Sequence, residues 1–219
     1  MARLLFQKTG NAIFISHLDL MRLFQRAFKR AGLPLTHSQG FNPRPSVSIA
    51  LPLSVGVESY CELLDFDLDG ETVACAEIKD RLNKALVSGV EVLEVYENGR
   101  KIRDLALLSC KVSLEYDSGI PEGAEKAIRE LFARNCVTVE KKSKNVIHEQ
   151  DIIPMIKALN VSRCSDQELT LEATICCQNP TLNPAQLTAA IGKYLPELNP
   201  TFSKCWRLEV FDSENNIFR

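Results

Sequence analysis

Apolar positions in this chain change period from segment to segment, and the changes mark its elements. Leu20, Phe24, Ala27, Phe28 and Ala31 recur every three or four residues, which is one face of an α-helix. Ser16 stands where an N-cap is needed, and Asp19 three residues on completes a near capping box. Gly32 followed by Pro34 marks the end. Around this helix the period falls to two. Arg3–Gln7 and Ala12–Ile15 read as strand segments about a turn at Gly10-Asn11, and Ser46–Leu51 and Glu58–Asp69 as later strands. Thr72–Leu86 reads as an amphipathic helix with Val73, Ala76, Ile78, Leu82 and Leu86 inward, and Val90–Tyr96 as a strand closed by Asn98-Gly99. The order is βαββαβ, that of a ferredoxin-like domain.

The second half repeats the order without repeating the residues. Cys110–Tyr116, Val137–Lys141, Glu168–Cys177 and Cys205–Phe211 read as strands. Helices are predicted from Pro121 to Ala133, and from Asn183 as cap with Pro184 at the first position; Leu187, Ala190, Ile191 and Tyr194 form the core face of the latter. Asp151–Leu159 reads as a short helical insertion. The predicted class is α+β: two tandem ferredoxin-like domains with antiparallel sheets, residues 1–104 and 105–219, joined near Gly99–Leu107.

Between the first helix and the next strand runs Ser38-Gln39-Gly40-Phe41-Asn42-Pro43-Arg44-Pro45. Gly40 permits a positive φ, while Pro43 and Pro45 fix φ and push Asn42 and Arg44 toward extended backbone. A loop stiffened in this way and carrying Phe41 and Arg44 reads as a site rather than a connector. Lys8-Thr9-Gly10, Ile15-Ser16-His17-Leu18-Asp19, Arg26-Ala27, Ser38 to Pro43 and Leu53-Ser54-Val55-Gly56-Val57-Glu58-Ser59 together give the chain a resemblance. It resembles the radical-SAM-linked proteins, an uncharacterised bacterial family encoded beside or fused behind a radical SAM enzyme. The resemblance implies such an enzyme as partner, and it brings no catalytic residues with it.

Charge sharpens the picture. The net charge is −2, but residues 1–60 hold seven basic side chains and two acidic ones, so +5, and the rest carries −7. A basic end on an acidic body directs an anionic partner to the first half. Lys8, Arg22, Arg26, Lys29, Arg30 and Arg44, with Gln39, Phe41 and Asn42, form the candidate RNA-binding set: clustered cations suit phosphates, and an aromatic face suits unpaired bases. The bland alternative is a solvated helix face with Asp19 paired to Arg22.

His17 and His37 are weak catalytic candidates, a general base and acid for metal-independent RNA cleavage; helix capping competes as the role of His17 and Asp19. No metal site is expected, because His-x-x-x-His, Cys-x-x-Cys and Glu-x-x-His spacings are absent. No cofactor is expected either: the chain lacks the Cys-x-x-x-Cys-x-x-Cys run of a radical SAM cluster, a P-loop and Gly-x-Gly-x-x-Gly. Cys61, Cys75, Cys110, Cys136, Cys176 and Cys205 fall in predicted core segments, so free, reduced and buried thiols are expected; Cys176-Cys177, adjacent on a strand, point to opposite faces. Trp206 reads as core. No apolar run approaches a membrane span and no signal-peptide h-region opens the chain, so the expected setting is cytoplasmic. The expected function is a non-catalytic recognition module that presents RNA or another anionic substrate to a radical SAM enzyme. A pure protein–protein adaptor and a ribonuclease using His17 and His37 are the competing readings.

Overall fold

The computed structural model describes residues 1–70, 72–143 and 146–219. It is a mixed α+β chain that divides into two compact units, Met1–Ile102 with Arg219, and Arg103–Phe218, and the strand pairs within each unit are antiparallel. Arg219 groups with the first unit, where it accepts a bond from the Arg100 N–H at 2.9 Å.

In the first unit the elements are β1 (Ala2–Lys8), α1 (His17–Arg30), β2 (Val47–Ile49), β3 (Glu58–Phe66), α2 (Cys75–Ala85) and β4 (Val90–Glu97). Its strands lie in the order β4-β1-β3-β2. Leu4, Phe6, Leu64, Phe66, Val90 and Val92 bury one face of the sheet beneath Leu20, Phe24, Ala27 and Phe28 of α1 and Ile78 and Leu82 of α2. Two aromatic pairs join sheet to helix: Phe6 meets Phe24 edge-on with centroids 4.8 Å apart, and Phe28 meets Phe66 at 5.0 Å. The expected strand at Ala12–Ile15 is instead part of a 3₁₀ turn, Gly10–Phe14. Its backbone bonds are local, Ala12 N–H to the Thr9 carbonyl at 3.1 Å and Ile15 N–H to the Ala12 carbonyl at 3.0 Å, and Ala12 alone of that turn is buried.

The second unit contains β5 (Leu105–Glu115), α3 (Ala124–Phe132), β6 (Thr138–Ser143), β7 (Val146–Asp151), β8 (Ile156–Arg163), β9 (Glu168–Cys176), α4 (Ala185–Tyr194) and β10 (Phe202–Asp212). Its main sheet runs β10-β5-β9-β8, with Ile128 and Leu131 of α3 and Leu187 and Ile191 of α4 buried. Asn183 Oδ1 accepts the Ala185 N–H at 3.0 Å, and so caps α4 as the sequence predicts.

One region differs from expectation. Val137–Lys141 does enter a strand, but that strand pairs with β7 in a separate hairpin. The predicted helix Asp151–Leu159 is a single 3₁₀ turn, Ile153–Met155, followed by β8, which holds the edge of the main sheet. Ile152, Met155, Ile156 and Leu159 repeat at helical spacing, yet only Ile152 and Met155 are buried, as anchors for the hairpin base. Among the described residues no helix is long and apolar enough to cross a membrane.

Candidate functional site

Helix α1 is fixed at both ends by its own sequence. The Ser16 hydroxyl accepts the Asp19 N–H at 3.2 Å and donates to Asp19 Oδ2 at 2.7 Å. That bond, and then the one from Arg22, hold the Asp19 carboxyl below its usual range. At the other end Gly32 adopts φ +67, with Leu33 N–H donating to the Phe28 carbonyl at 3.0 Å and Gly32 N–H to that of Lys29 at 3.2 Å. This is a Schellman closure, which a residue with a Cβ adopts only under strain.

The closure turns the chain back beside the helix and opens a cleft of about 570 Å³. Gln25, Arg26 and Lys29 of α1 form one wall. Leu33, Pro34, Leu35 and His37 form the floor and far wall, and Pro45 closes it. Beyond the His37–Pro45 bridge the chain projects as a loop pinched at its neck. There the Ser38 N–H donates to the Arg44 carbonyl at 2.9 Å, and the Arg44 N–H donates to Ser38 Oγ at 3.0 Å. Gly40 takes φ +132 in the tip, and Phe41 beside it is fully exposed, at 104%. Gln39, Asn42 and Arg44 are exposed with it.

The nine residues of the candidate set thus separate. Arg26 and Lys29 share the cleft with His37, and Arg44 lines a smaller depression on the other side of the His37–Pro45 bridge. Among the described residues no carboxylate pairs with Arg26, Lys29 or Arg44. Arg22 is paired with Asp19 at 2.9 Å. Arg30 turns away, donating to the Ala85 carbonyl at 2.6 Å beside Arg81 and Lys84.

Lys8 is a correction. It is 1% exposed, and its ammonium donates to the carbonyls of Ile13 at 3.1 Å and Ile15 at 2.8 Å. Burial lowers its pKa, against the opposing pull of Glu62. It fastens the segment before α1 to β1 and presents nothing to a ligand.

The two histidines are also divided. His37 lines the cleft walled by Gln25, Arg26 and Lys29, whereas His17 opens the helix, eight residues and so about 12 Å before Gln25 along the axis. The two therefore stand at separate places along α1. Among the described residues no group of three His, Cys, Asp or Glu side chains gathers as a metal site.

Two features escaped the sequence reading. The first is the apolar floor at Leu33, Pro34 and Leu35, signalled only by its position just after the helix stop. The second is Trp206, expected in the core. It is half-buried on the face of the β10–β5 pair opposite Cys205 and Val112, with the ammonium groups of Lys204 and Lys111 4.7 and 5.3 Å from its ring centre. The thiols divide as well: Cys61, Cys110, Cys176, Cys177 and Cys205 are free and buried and Cys75 is half-buried, but Cys136, expected inside, is exposed, as is Cys164.

Comparison with solved structures places the fold. A chain of a Cbf5–Nop10–Gar1 complex superposes with a TM-score of 0.56 at 10% identity, over 97% of this chain and 50% of that one. A chain of an H/ACA RNP bound to a substrate RNA containing 2′-deoxyuridine gives 0.48 at 8% identity, over 94% of this chain and 46% of that one. An unknown protein from Galdieria sulphuraria gives 0.26 at 11% identity, over 96% of each chain. This chain therefore spans about half the length of the first two. No curated protein matches it. Residues 2–184 match a family described as an uncharacterized protein conserved in bacteria, and the chain belongs to that family, DUF2344.

Proposed function

We propose that this protein is a non-catalytic recognition module, which binds RNA through the α1 face and the 38–44 loop and presents it to a radical SAM enzyme. The observation that carries the reading is the set Arg26, Lys29 and Arg44. These cations lack carboxylate partners among the described residues, and Arg44 shares its loop with a fully exposed aromatic ring. Phosphates take the cations and an unstacked base takes Phe41. Each unit is proposed to be a ferredoxin-like sandwich. Support comes from the strand orders β4-β1-β3-β2 and β10-β5-β9-β8, with β6–β7 inserted before β8 in the second. The proposed setting is the cytoplasm, in keeping with free buried thiols.

The enzyme partner rests on the resemblance of the 8–59 motifs, and one surface suits it. Phe14, Leu18 and Val55 are 68%, 67% and 57% exposed, and the bond from Gly56 N–H to the Ile13 carbonyl at 3.0 Å brings the turn carrying Val55 to the segment carrying Phe14. Exposed apolar side chains gathered at one helix start favour a protein contact. The test is affinity purification from the native host with RNA and protein both identified, alongside binding of labelled single-stranded RNA at two salt concentrations. RNA retained at low salt together with a radical SAM enzyme supports the proposal. The enzyme without RNA, and no salt-dependent RNA binding by the purified protein, replaces it with a pure adaptor on the Phe14–Leu18–Val55 surface.

A further inference from the structure

From the cleft beside α1 we infer a pocket for one unstacked ribonucleotide, base inward and phosphate at the rim, an inference that rests on the RNA reading above. The cleft differs from the rest of the basic face in having depth and an apolar lining. Its volume of about 570 Å³ falls in the range of small-ligand sites. Leu33 and Leu35 are buried beneath it, and the apolar rings of Pro34 and Pro45 line it. A cation site for phosphate alone requires no such floor, whereas a planar apolar group does.

The polar groups are few: Gln25, Arg26 and Lys29 on α1, and His37 across from them. Gln25 carries an amide that both donates and accepts, the pattern that reads a base edge. Arg26 and Lys29 lie three residues apart on the same helix face, without carboxylate partners among the described residues. A phosphate there would replace water around two charges and leave none of them buried alone. His37 adds a ring on the far wall that can donate to a phosphate oxygen or lie against a base. The Phe41 loop begins at the next residue, so a strand whose one base enters the cleft has its neighbour within reach of the exposed ring.

The experiment uses the full chain, isotope-labelled, with uridine and adenosine 5′-monophosphates as probes and ribose 5-phosphate as the base-free control. The nucleotides should shift the amide signals of Arg26, Lys29, Gly32, Leu35 and His37, and ribose 5-phosphate should bind at least tenfold more weakly. Arg26→Ala or Lys29→Ala should weaken nucleotide binding about fivefold, and Gln25→Trp, which fills the cleft while leaving both cations, should abolish it with circular dichroism unchanged. Equal binding of ribose 5-phosphate overturns the pocket and leaves only a charged rim. So do shifts confined to Phe41 and Arg44, measured on the wild-type protein and so independent of any variant's folding. RNA bound equally tightly by wild type and a folded Gln25→Trp overturns the pocket while the basic-face reading stands. Nucleotides bound in the cleft by a protein that binds no RNA overturn that reading and assign the pocket to a free nucleotide.

Discussion

At the scale of single residues, side-chain chemistry is legible in a sequence but burial is legible only through neighbours. Lys8 carried a charge that placed it among the RNA-binding candidates. Its parity with Leu4 and Phe6 put it on the core face of β1, and that signal outweighs the charge. Its role predicts how it fails. Lys8→Met leaves the carbonyls of Ile13 and Ile15 and the buried Glu62 without their ammonium, and should cost about 3 kcal/mol in urea denaturation. RNA affinity of the remaining folded protein should be unchanged; lost affinity at unchanged stability would return Lys8 to the binding set. The thiols obey the same logic. Burial pushes Cys110 and Cys177 up to about 12 and Cys205 to about 11, so a thiol reagent at neutral pH should find Cys136 and Cys164 first. Of these, Cys136 should react below the rate of a free thiol, because desolvation and the nearby Asp151 raise its pKa. Cys136 lies in the gap between α3 and β6, just outside the predicted strand Val137–Lys141, where no ladder buries it.

At the scale of elements, α1 was legible from end to end because both its terminators are local chemistry. Ser16→Ala should cost about 1 kcal/mol, the worth of a helix cap. The β6–β7 hairpin was not legible, because partner choice in a sheet is decided by distant strands while periodicity is read within a few residues. Ile152 to Leu159 carried a helical repeat, and Pro154 is tolerated at a helix start; the chain nevertheless spends those residues on one turn and an edge strand. Asp151 secures that turn, its Oδ1 accepting the N–H groups of Val137 at 3.0 Å and Ile153 at 3.1 Å. The bond from Val137 leads the effects that lower its pKa below the ordinary value of 3.8. A carboxyl depressed in the folded state contributes stability above its unfolded pKa and loses it as pH falls through the folded one. The stability gap between wild type and Asp151→Ala should therefore be full at pH 6 and close progressively below about pH 4. A gap that persists undiminished to pH 2 would assign the effect to packing.

At the scale of the whole molecule, net charge alone argues against a polyanion, since the chain carries −2. The charges that decide are those left without partners. The sequence offered six cations: Lys8, Arg22, Arg26, Lys29, Arg30 and Arg44. The fold buries Lys8, pairs Arg22 with Asp19 and turns Arg30 to the Ala85 carbonyl, so three remain for phosphates. For a single strand each phosphate contact contributes about −0.7 to the slope of log K against log salt, so three contacts predict about −2 and six about −4. The wild-type slope with single-stranded RNA should fall near the smaller value. Arg26→Ala, Lys29→Ala and Arg44→Ala should each flatten it by about 0.7, and Phe41→Ala should lower affinity without changing it. Asp19→Asn separates the two counts most sharply. It removes the carboxylate that holds Arg22, and so should steepen the slope by about 0.7 while weakening the helix cap. A wild-type slope of about −3.5, the value for five contacts, that Asp19→Asn leaves unchanged would mean that Arg22 and Arg30 already reach phosphates, and that their bonds to Asp19 and Ala85 open when RNA arrives.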